Sequence, residues 1–318
     1  MKTKITIILI SLFLLAFSAQ AVAQTKDATI AGAKTGDDAD ANYNVDYLDV
    51  QTTSALVDDS VNWTGVVGDF YVMDPATSQW FGVDSLNTGD TADDQYFRVF
   101  IDEAAHTYGP GETDLEFKYT AESGIAIPTN DGDLQPTYSE IQVADGIYPV
   151  ILESSLSGES NHESGGFTNP TLAVDGDSVF VQFVTTEAIA FSPAPEAWMF
   201  DTNEISAVEI VQTDGYTDQK HWTAKYYLSG SHEEGLVDLR FQISDPSVNT
   251  TNVSFDDPID VIYKDSSPTD VYVNDDWTSQ TDVDGDDPSL IWLWDAFKTI
   301  QEGVDAVASN GSVNVYYA

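Results

Sequence analysis

Cysteine is absent from all 318 residues. Disulfide staples, thiol nucleophiles and thiolate metal sites are therefore excluded. Basic residues are scarce: 11 Lys and Arg stand against 54 Asp and Glu, a formal net charge of −43 at pH 7. Such a chain repels the phosphate backbone of nucleic acid and anionic lipid surfaces, so neither is expected as a partner. The four histidines, His106, His162, His221 and His232, are scattered and show no metal-ligand spacing. His221, before a strand, and His232, in a turn, read as surface positions. No Gly-x-Ser-x-Gly elbow, phosphate loop or dinucleotide fingerprint occurs. Carboxylate pairs for glycoside hydrolysis cannot be picked out either, because 54 acids produce such pairs by chance.

Long apolar runs are missing beyond the N-terminus, where Ile5–Phe17 is too short to span a bilayer comfortably. Lys2 and Lys4 precede that run, and Ala21 and Ala23 follow it in the small-x-small pattern of a cleavage site. Residues 1–23 are thus expected to be a secretory signal peptide, with the mature chain starting at Gln24, secreted or at the cell surface and without a membrane span. No Cys stands at that point to carry a lipid.

Hydrophobic residues make up 42% of the chain and aromatics 12%, which supports packed cores and excludes global disorder. Helical periodicity is almost absent from 24 to 268. Alternation is common instead. Val179, Val181 and Phe183 share one face, as do Trp222, Ala224, Tyr226 and Leu228, and Val237, Leu239, Phe241 and Ile243. Period-two stretches between Gly, Asp, Asn, Ser and Pro clusters are half-buried antiparallel strands. The expected fold class is all-β, with two tandem β-sandwiches followed by a short strand–helix–strand segment.

An internal repeat supports the tandem. "DLEFKY" (114–119) parallels "DLRFQI" (238–243), and each is followed by a polar loop, a further strand and a closing Asp, Asp145 or Asp265. Chance similarity between two β-rich stretches is the alternative. The boundaries fall near Pro149 and Pro268, giving domains 24–149, 150–268 and 269–318.

The second domain resembles the bacterial immunoglobulin-like domains of large surface proteins. The resemblance is carried by "DGDSVFVQFVTTEAI" (175–189), "HWTAKYYLSGSHEEGLVDLRFQISD" (221–245) and the closing "VIYKDSSP". The first domain looks like a more divergent relative, through "LVDDSVNWTGVVGDFYV" and "DLEFKYTAESGIA". The resemblance implies an Ig-like fold and a spacer role, and no catalytic residues.

After Pro268 the pattern changes. Val271 and Val273 mark a short strand. Thr299 and Glu302 fit a capping box at the start of a nine-residue helix. Ile300, Val304 and Val307 form one apolar stripe, with Gly303 allowing close approach. Asn310-Gly311 tolerates the left-handed conformation that ends a helix. "YVNDDW…DAFKTIQEGVDAVASNGSVNVY" resembles the entry to a right-handed parallel β-helix of the pectin-lyase type, in which an N-terminal helix plugs the first coil. On that reading 269–318 is an incomplete cap and the sequence a fragment of a larger protein. The alternative is that the helix packs on the preceding sandwich as a genuine terminus.

Two Asp-rich stretches are candidate Ca²⁺ sites. Counting from Asp38, oxygen ligands fall at positions 1, 3, 5, 7, 9 and 12 of an EF-hand-like loop: Asp38, Asp40, Asn42, Asn44, Asp46 and Asp49. Tyr43 replaces the turn-making Gly, and flanking helices are missing. "DVDGDDP" offers Asp282, Asp284 and Asp286 in a loop turned by Gly285. The bland reading of both is a solvated acidic loop. Trp222 reads as core. Trp292 and Trp294 read as an exposed or interface pair, or as packing against further coils.

The expected function is that of an exported, non-catalytic structural or adhesive module, a spacer whose partner is an extracellular glycan or surface protein. Two alternatives stand beside it. One is the accessory N-terminal region of a polysaccharide lyase or hydrolase, since fold alone does not separate adhesin from enzyme. The other is a carbohydrate-binding module.

Overall fold

A computed structural model describes residues 28–36, 45–57, 60–75, 77–88, 94–102, 108, 115–137, 139–164, 166–200, 203–230 and 232–316. The expected signal peptide, 1–23, lies outside them. Among the described residues the chain is all-β, and no helix is long and apolar enough to cross a membrane. It divides into two compact units, Met1–Ile147 and Tyr148–Ala318.

The first unit carries strands β1 (Ile30–Gly36), β2 (Tyr47–Thr52), β3 (Phe70–Asp74), β4 (Gln79–Gly82), β5 (Ser85–Asn87), β6 (Tyr96–Phe100), β7 (Glu116–Tyr119), the small hairpin β8 (Pro128–Thr129) and β9 (Gly132–Asp133), and β10 (Ile141–Ala144). Eight of these form one sheet in the order β4-β3-β7-β10-β1-β2-β6-β5. Alternation sends Leu48, Val50, Phe70, Val72, Phe97, Val99, Phe117 and Tyr119 into a single core. β3 and β6 lie near opposite ends of that order, yet Phe70 and Phe97 meet edge to face with ring centroids 5.5 Å apart. The sheet is therefore folded over on itself into two layers. Each buried aromatic side chain contributes roughly 1.5–3 kcal/mol.

The second unit carries β11 (Ser157–Ser160), β12 (Glu163–Ser164), β13 (Phe167–Thr168), β14 (Leu172–Val174), β15 (Ser178–Val184), β16 (Glu196–Met199), β17 (Ile205–Ser206), β18 (Glu209–Gln212), β19 (His221–Tyr227), β20 (Gly235–Leu236), β21 (Leu239–Ser244), β22 (Thr250–Phe255) and β23 (Ile262–Lys264). Two four-stranded sheets, β11-β15-β19-β18 and β17-β16-β21-β22, face each other. The alternating residues expected inward are buried, and Phe183 of one sheet meets Phe241 of the other at 4.9 Å. Trp222 is in this core, and its Nε1 donates to the Gln219 carbonyl at 2.7 Å. Both copies of the repeat face a core: Leu115, Phe117 and Tyr119 on the β7 stretch, and Leu239, Phe241 and Ile243 on β21, are all buried. A later strand of each unit pairs in parallel with an early one, β10 with β1 and β23 with β14, although β8 and β9 intervene after the first copy and β22 after the second.

The unit continues through β24 (Asp270–Val273), a helix α1 (Gln280–Asp286), β25 (Ala296–Phe297), a helix α2 (Ile300–Ala306) and β26 (Ser312–Val315). The three strands form a parallel sheet, β25-β24-β26. The capping box at Thr299 and Glu302 is present, but the helix runs seven residues, not nine. Its stripe is also rotated from the expected one. Gly303 is buried while Ile300 and Val304 are exposed, because Gly303 lets the backbone sit against Val271 and Val273. The left-handed residue is Asn310, with φ 70°, and it lies beyond the helix end. The core of this segment includes Leu172, with Phe167 and Val174 packed against it. It is thus continuous with the β13–β14 region. Trp292 belongs to that core, edge-on to Phe167, and is not an exposed aromatic. Trp294 is half-buried beneath the Lys264 ammonium, and its Nε1 donates to the Ser266 carbonyl.

Candidate functional site

Of the six residues in the first proposed Ca²⁺ loop, Asp38, Asp40, Asn42 and Asn44 lie outside the described residues. Asp46 is buried just before β2. Asp49 points outward on β2, where its Oδ1 accepts from Arg98 Nε at 2.8 Å across the β2–β6 register. The two lie three residues apart on an extended chain, so they face opposite sides.

The second stretch is not a loop over Asp282–Asp286 but helix α1, capped by Ser279. A helix separates residues i and i+2 by more than half a turn, so Asp284 diverges from Asp282 and Asp286, which lie one turn apart and are each held by different partners. Asp282 accepts from the Thr278 amide and from the hydroxyls of Thr278 and Ser279, and these bonds hold its pKa below the usual carboxylate range. Asp284 accepts from Gln280 Nε2, and Asp286 from Asn274 Nδ2 and Trp277 Nε1.

The histidines are less superficial than expected. His232 is half-buried, stacked on Phe200 with ring centroids 4.6 Å apart. His221 is half-buried too, stacked on Tyr216 and bonded to Asp218. His162 is buried, with Nδ1 2.9 Å from Asp177 Oδ2.

The second unit brings together a carboxylate pair that the sequence did not single out. Glu187 and Asp245 are both buried, and carboxylate oxygens of the two lie within 4.8 Å of each other. Glu187 sits just past β15, in a segment pinned by Thr185, whose hydroxyl donates to the Glu187 carbonyl at 2.6 Å. Asp245 follows β21 and opens a tight turn. Its Oδ1 accepts from the Asn249 amide at 2.9 Å and its Oδ2 from Asn249 Nδ2 at 2.7 Å. The Ala190 amide donates to the Ser244 carbonyl at 2.7 Å, fixing the two segments side by side. Two charged carboxylates so close and so buried repel each other, and a cation between them would relieve that. Their hard oxygens suit Ca²⁺, which takes six to eight such ligands. The only hint in the sequence was that Glu187 and Asp245 each end an alternating run, where a side chain is freed from the pleat.

The fold and this pair define an all-β, sandwich-like module. No protein-family model matches the chain, and neither does any curated protein. Among solved structures, the chain is similar to a tetra-tandem repeat from the extending region of a large adhesion protein, at 11% identity and a TM-score of 0.23, over 72% of this chain and 50% of that one. It is also similar to dimeric latent PorU from Porphyromonas gingivalis, at 11% identity and a TM-score of 0.24, over 76% of this chain and 24% of that one. The chain thus spans half the length of the first structure and about a quarter of the second.

Proposed function

We propose that the chain is an exported, non-catalytic structural and adhesive module, built of tandem immunoglobulin-like sandwiches that lead into the capping segment of a parallel β-helix. The observation that carries this reading is that both copies of the repeat form inward-facing strands, in units that each also pair a late strand in parallel with an early one, β10 on β1 and β23 on β14. The core of the first unit is a cluster distinct from the two in the second, which supports a spacer whose modules bear load independently. The parallel sheet β25-β24-β26 supports the cap reading of the last segment. Ca²⁺ is the cation this reading invokes, with the buried Glu187–Asp245 pair among its ligands.

Pulling the full mature chain from its ends in a force spectrometer tests the proposal. Two discrete unfolding steps are expected, with contour gains matching the two units. A single cooperative step, or release of reducing ends from polysaccharides incubated with the protein, would overturn it.

A further inference from the structure

We propose that a groove at the β16–β17–β18 margin of the second unit binds a neutral, hydroxyl-rich glycan. This names the ligand class of the adhesive module and rests on that reading.

The groove follows from a change of sheet. β17 pairs with β16, placing Ser206 beside Trp198. The Ala207 amide still donates to Ala197, at 2.8 Å, but the next amide, Val208, donates to Lys225 of the opposite sheet, at 2.7 Å. The chain therefore leaves one layer and joins the other within two residues. The corner it opens holds about 380 Å³ and is lined by Glu196, Trp198, Ser206, Val208, Glu209 and Ile210 among others. That volume is within the range of small-ligand sites.

Its lining matches the two-sided chemistry of a sugar. A pyranose has an apolar C–H face and a rim of hydroxyls. Trp198 supplies a broad apolar surface, and it is held in place. The Arg240 guanidinium lies 4.2 Å from its ring centroid and is itself bonded to Glu204 at 2.8 Å. An aromatic fixed in advance loses little freedom when a ligand arrives. The rim groups are Glu196, Glu209 and Ser206. Both carboxylates are exposed, and neither has a hydrogen-bond or ion-pair partner among the described residues. Carboxylates accept charge-assisted bonds from hydroxyls, roughly twice as strong as neutral ones. Beside Glu196 in the β-ladder, Gln242 donates to Asn252 at 2.9 Å, which extends the polar rim across the same outward face. Charge selects among sugars. With a net charge of −43 and Arg240 already paired with Glu204, uronic and sialic acids are repelled. A cationic ligand would meet the same indole and carboxylates, so the test includes one.

The full mature chain is titrated in 150 mM salt with hexasaccharides of glucose, mannose, xylose and N-acetylglucosamine, and with pentalysine, by calorimetry and tryptophan fluorescence. At least one neutral hexasaccharide is expected to bind. Trp198→Ala and the Glu196→Gln/Glu209→Gln double variant are each expected to weaken that binding tenfold or more, while Trp80→Ala in the first unit leaves it unchanged. The double variant alters only exposed groups and decides the matter if Trp198→Ala does not fold. Absence of neutral-glycan binding, binding that both variants retain, or Trp198-dependent binding of pentalysine alone would overturn the proposal. None of these results touches the two-step unfolding expected of the spacer, so the two readings fail separately.

Discussion

Asn169 Nδ2 donates to the Trp292 carbonyl at 2.6 Å, and both residues are buried. Asn169 Oδ1 accepts from the amide and hydroxyl of Thr171, so one side chain joins the entry of β14 to the last segment of the chain. Asn169→Ala leaves the buried Trp292 carbonyl and the part-buried Thr171 amide without these partners, at a cost of about 1–3 kcal/mol. The loss should be local. Hydrogen exchange should speed up in β24, β25 and β26 before it changes in β15 or β19. Equal loss of protection across the second unit would show that Asn169 holds no separate joint.

Asp295 sits in the same segment and is expected to make stability depend on pH. Burial pushes its carboxyl up to about 6, although the Ile291 amide donates to it at 2.6 Å. The native state therefore holds this proton more tightly than the unfolded chain. Its favourable contribution is complete below about pH 4 and is lost as pH rises through 6. At neutral pH the charged group costs on the order of 1–2 kcal/mol after solvent screening. Asp295→Asn keeps an oxygen for the Ile291 amide and removes the charge. Its Tm should exceed the wild type's by a few degrees at pH 7.5 and equal it at pH 4. A constant difference across that range would assign the effect to packing.

Much of the fold was legible because strands announce themselves by period. Val179, Val181, Phe183, Trp222, Ala224 and Tyr226 were placed inward from alternation alone, and all are buried. The Thr299–Glu302 capping box was legible for a similar reason: its chemistry is complete within four consecutive residues. What stayed hidden depends on partners distant in sequence. "DVDGDDP" reads as a loop from composition, yet Ser279 caps it into a helix and Val283 is buried beneath it. Trp292 reads as an exposed aromatic until Phe167, 125 positions earlier, closes over it. Glu187 and Asp245 are 58 positions apart, and nothing local marks two ordinary acids as neighbours. The groove at Trp198 likewise depends on where one strand changes sheets, which no residue pattern advertises.

Two glycines of the last segment should differ sharply in what they tolerate. A Cβ at Gly303 would lie 2.9 Å from Val273 Cγ2 and 3.3 Å from Val271 Cγ2. Alanine normally gains about 1 kcal/mol over glycine in a helix. Here the stiff valines must yield, and overpacking of this kind costs about 1–3 kcal/mol. Gly303→Ala should therefore be mildly destabilising, by about 1 kcal/mol net. At Gly311 a Cβ would meet the Thr269 carbonyl at 2.3 Å, and backbone cannot step aside as a side chain does. Gly311→Ala should detach β26 from β24, seen as fast exchange at Ser312 and Tyr316, whose amides donate to Thr269 and Val273. Similar Tm losses for both variants would contradict this ranking.

The Glu187–Asp245 pair yields the sharpest prediction for the cation. If Ca²⁺ relieves the repulsion between these carboxylates, it binds the native state alone, because the unfolded chain does not hold the two side chains together. Stabilisation then grows with free Ca²⁺, reaching about 2.7 kcal/mol at a concentration one hundred times the dissociation constant. For a unit of this size that is a rise of roughly 5–10 °C in Tm over the chelated protein. Glu187→Gln removes one charge and nearly conserves shape. In chelator it should melt at or above the wild type, since the repulsion is gone, and Ca²⁺ should no longer raise its Tm. Asp282→Asn, on helix α1 and engaged with Thr278 and Ser279, should leave the Ca²⁺ response intact. A Ca²⁺ shift that survives Glu187→Gln would move the cation elsewhere. A wild type indifferent to chelator would remove the cation from this pair.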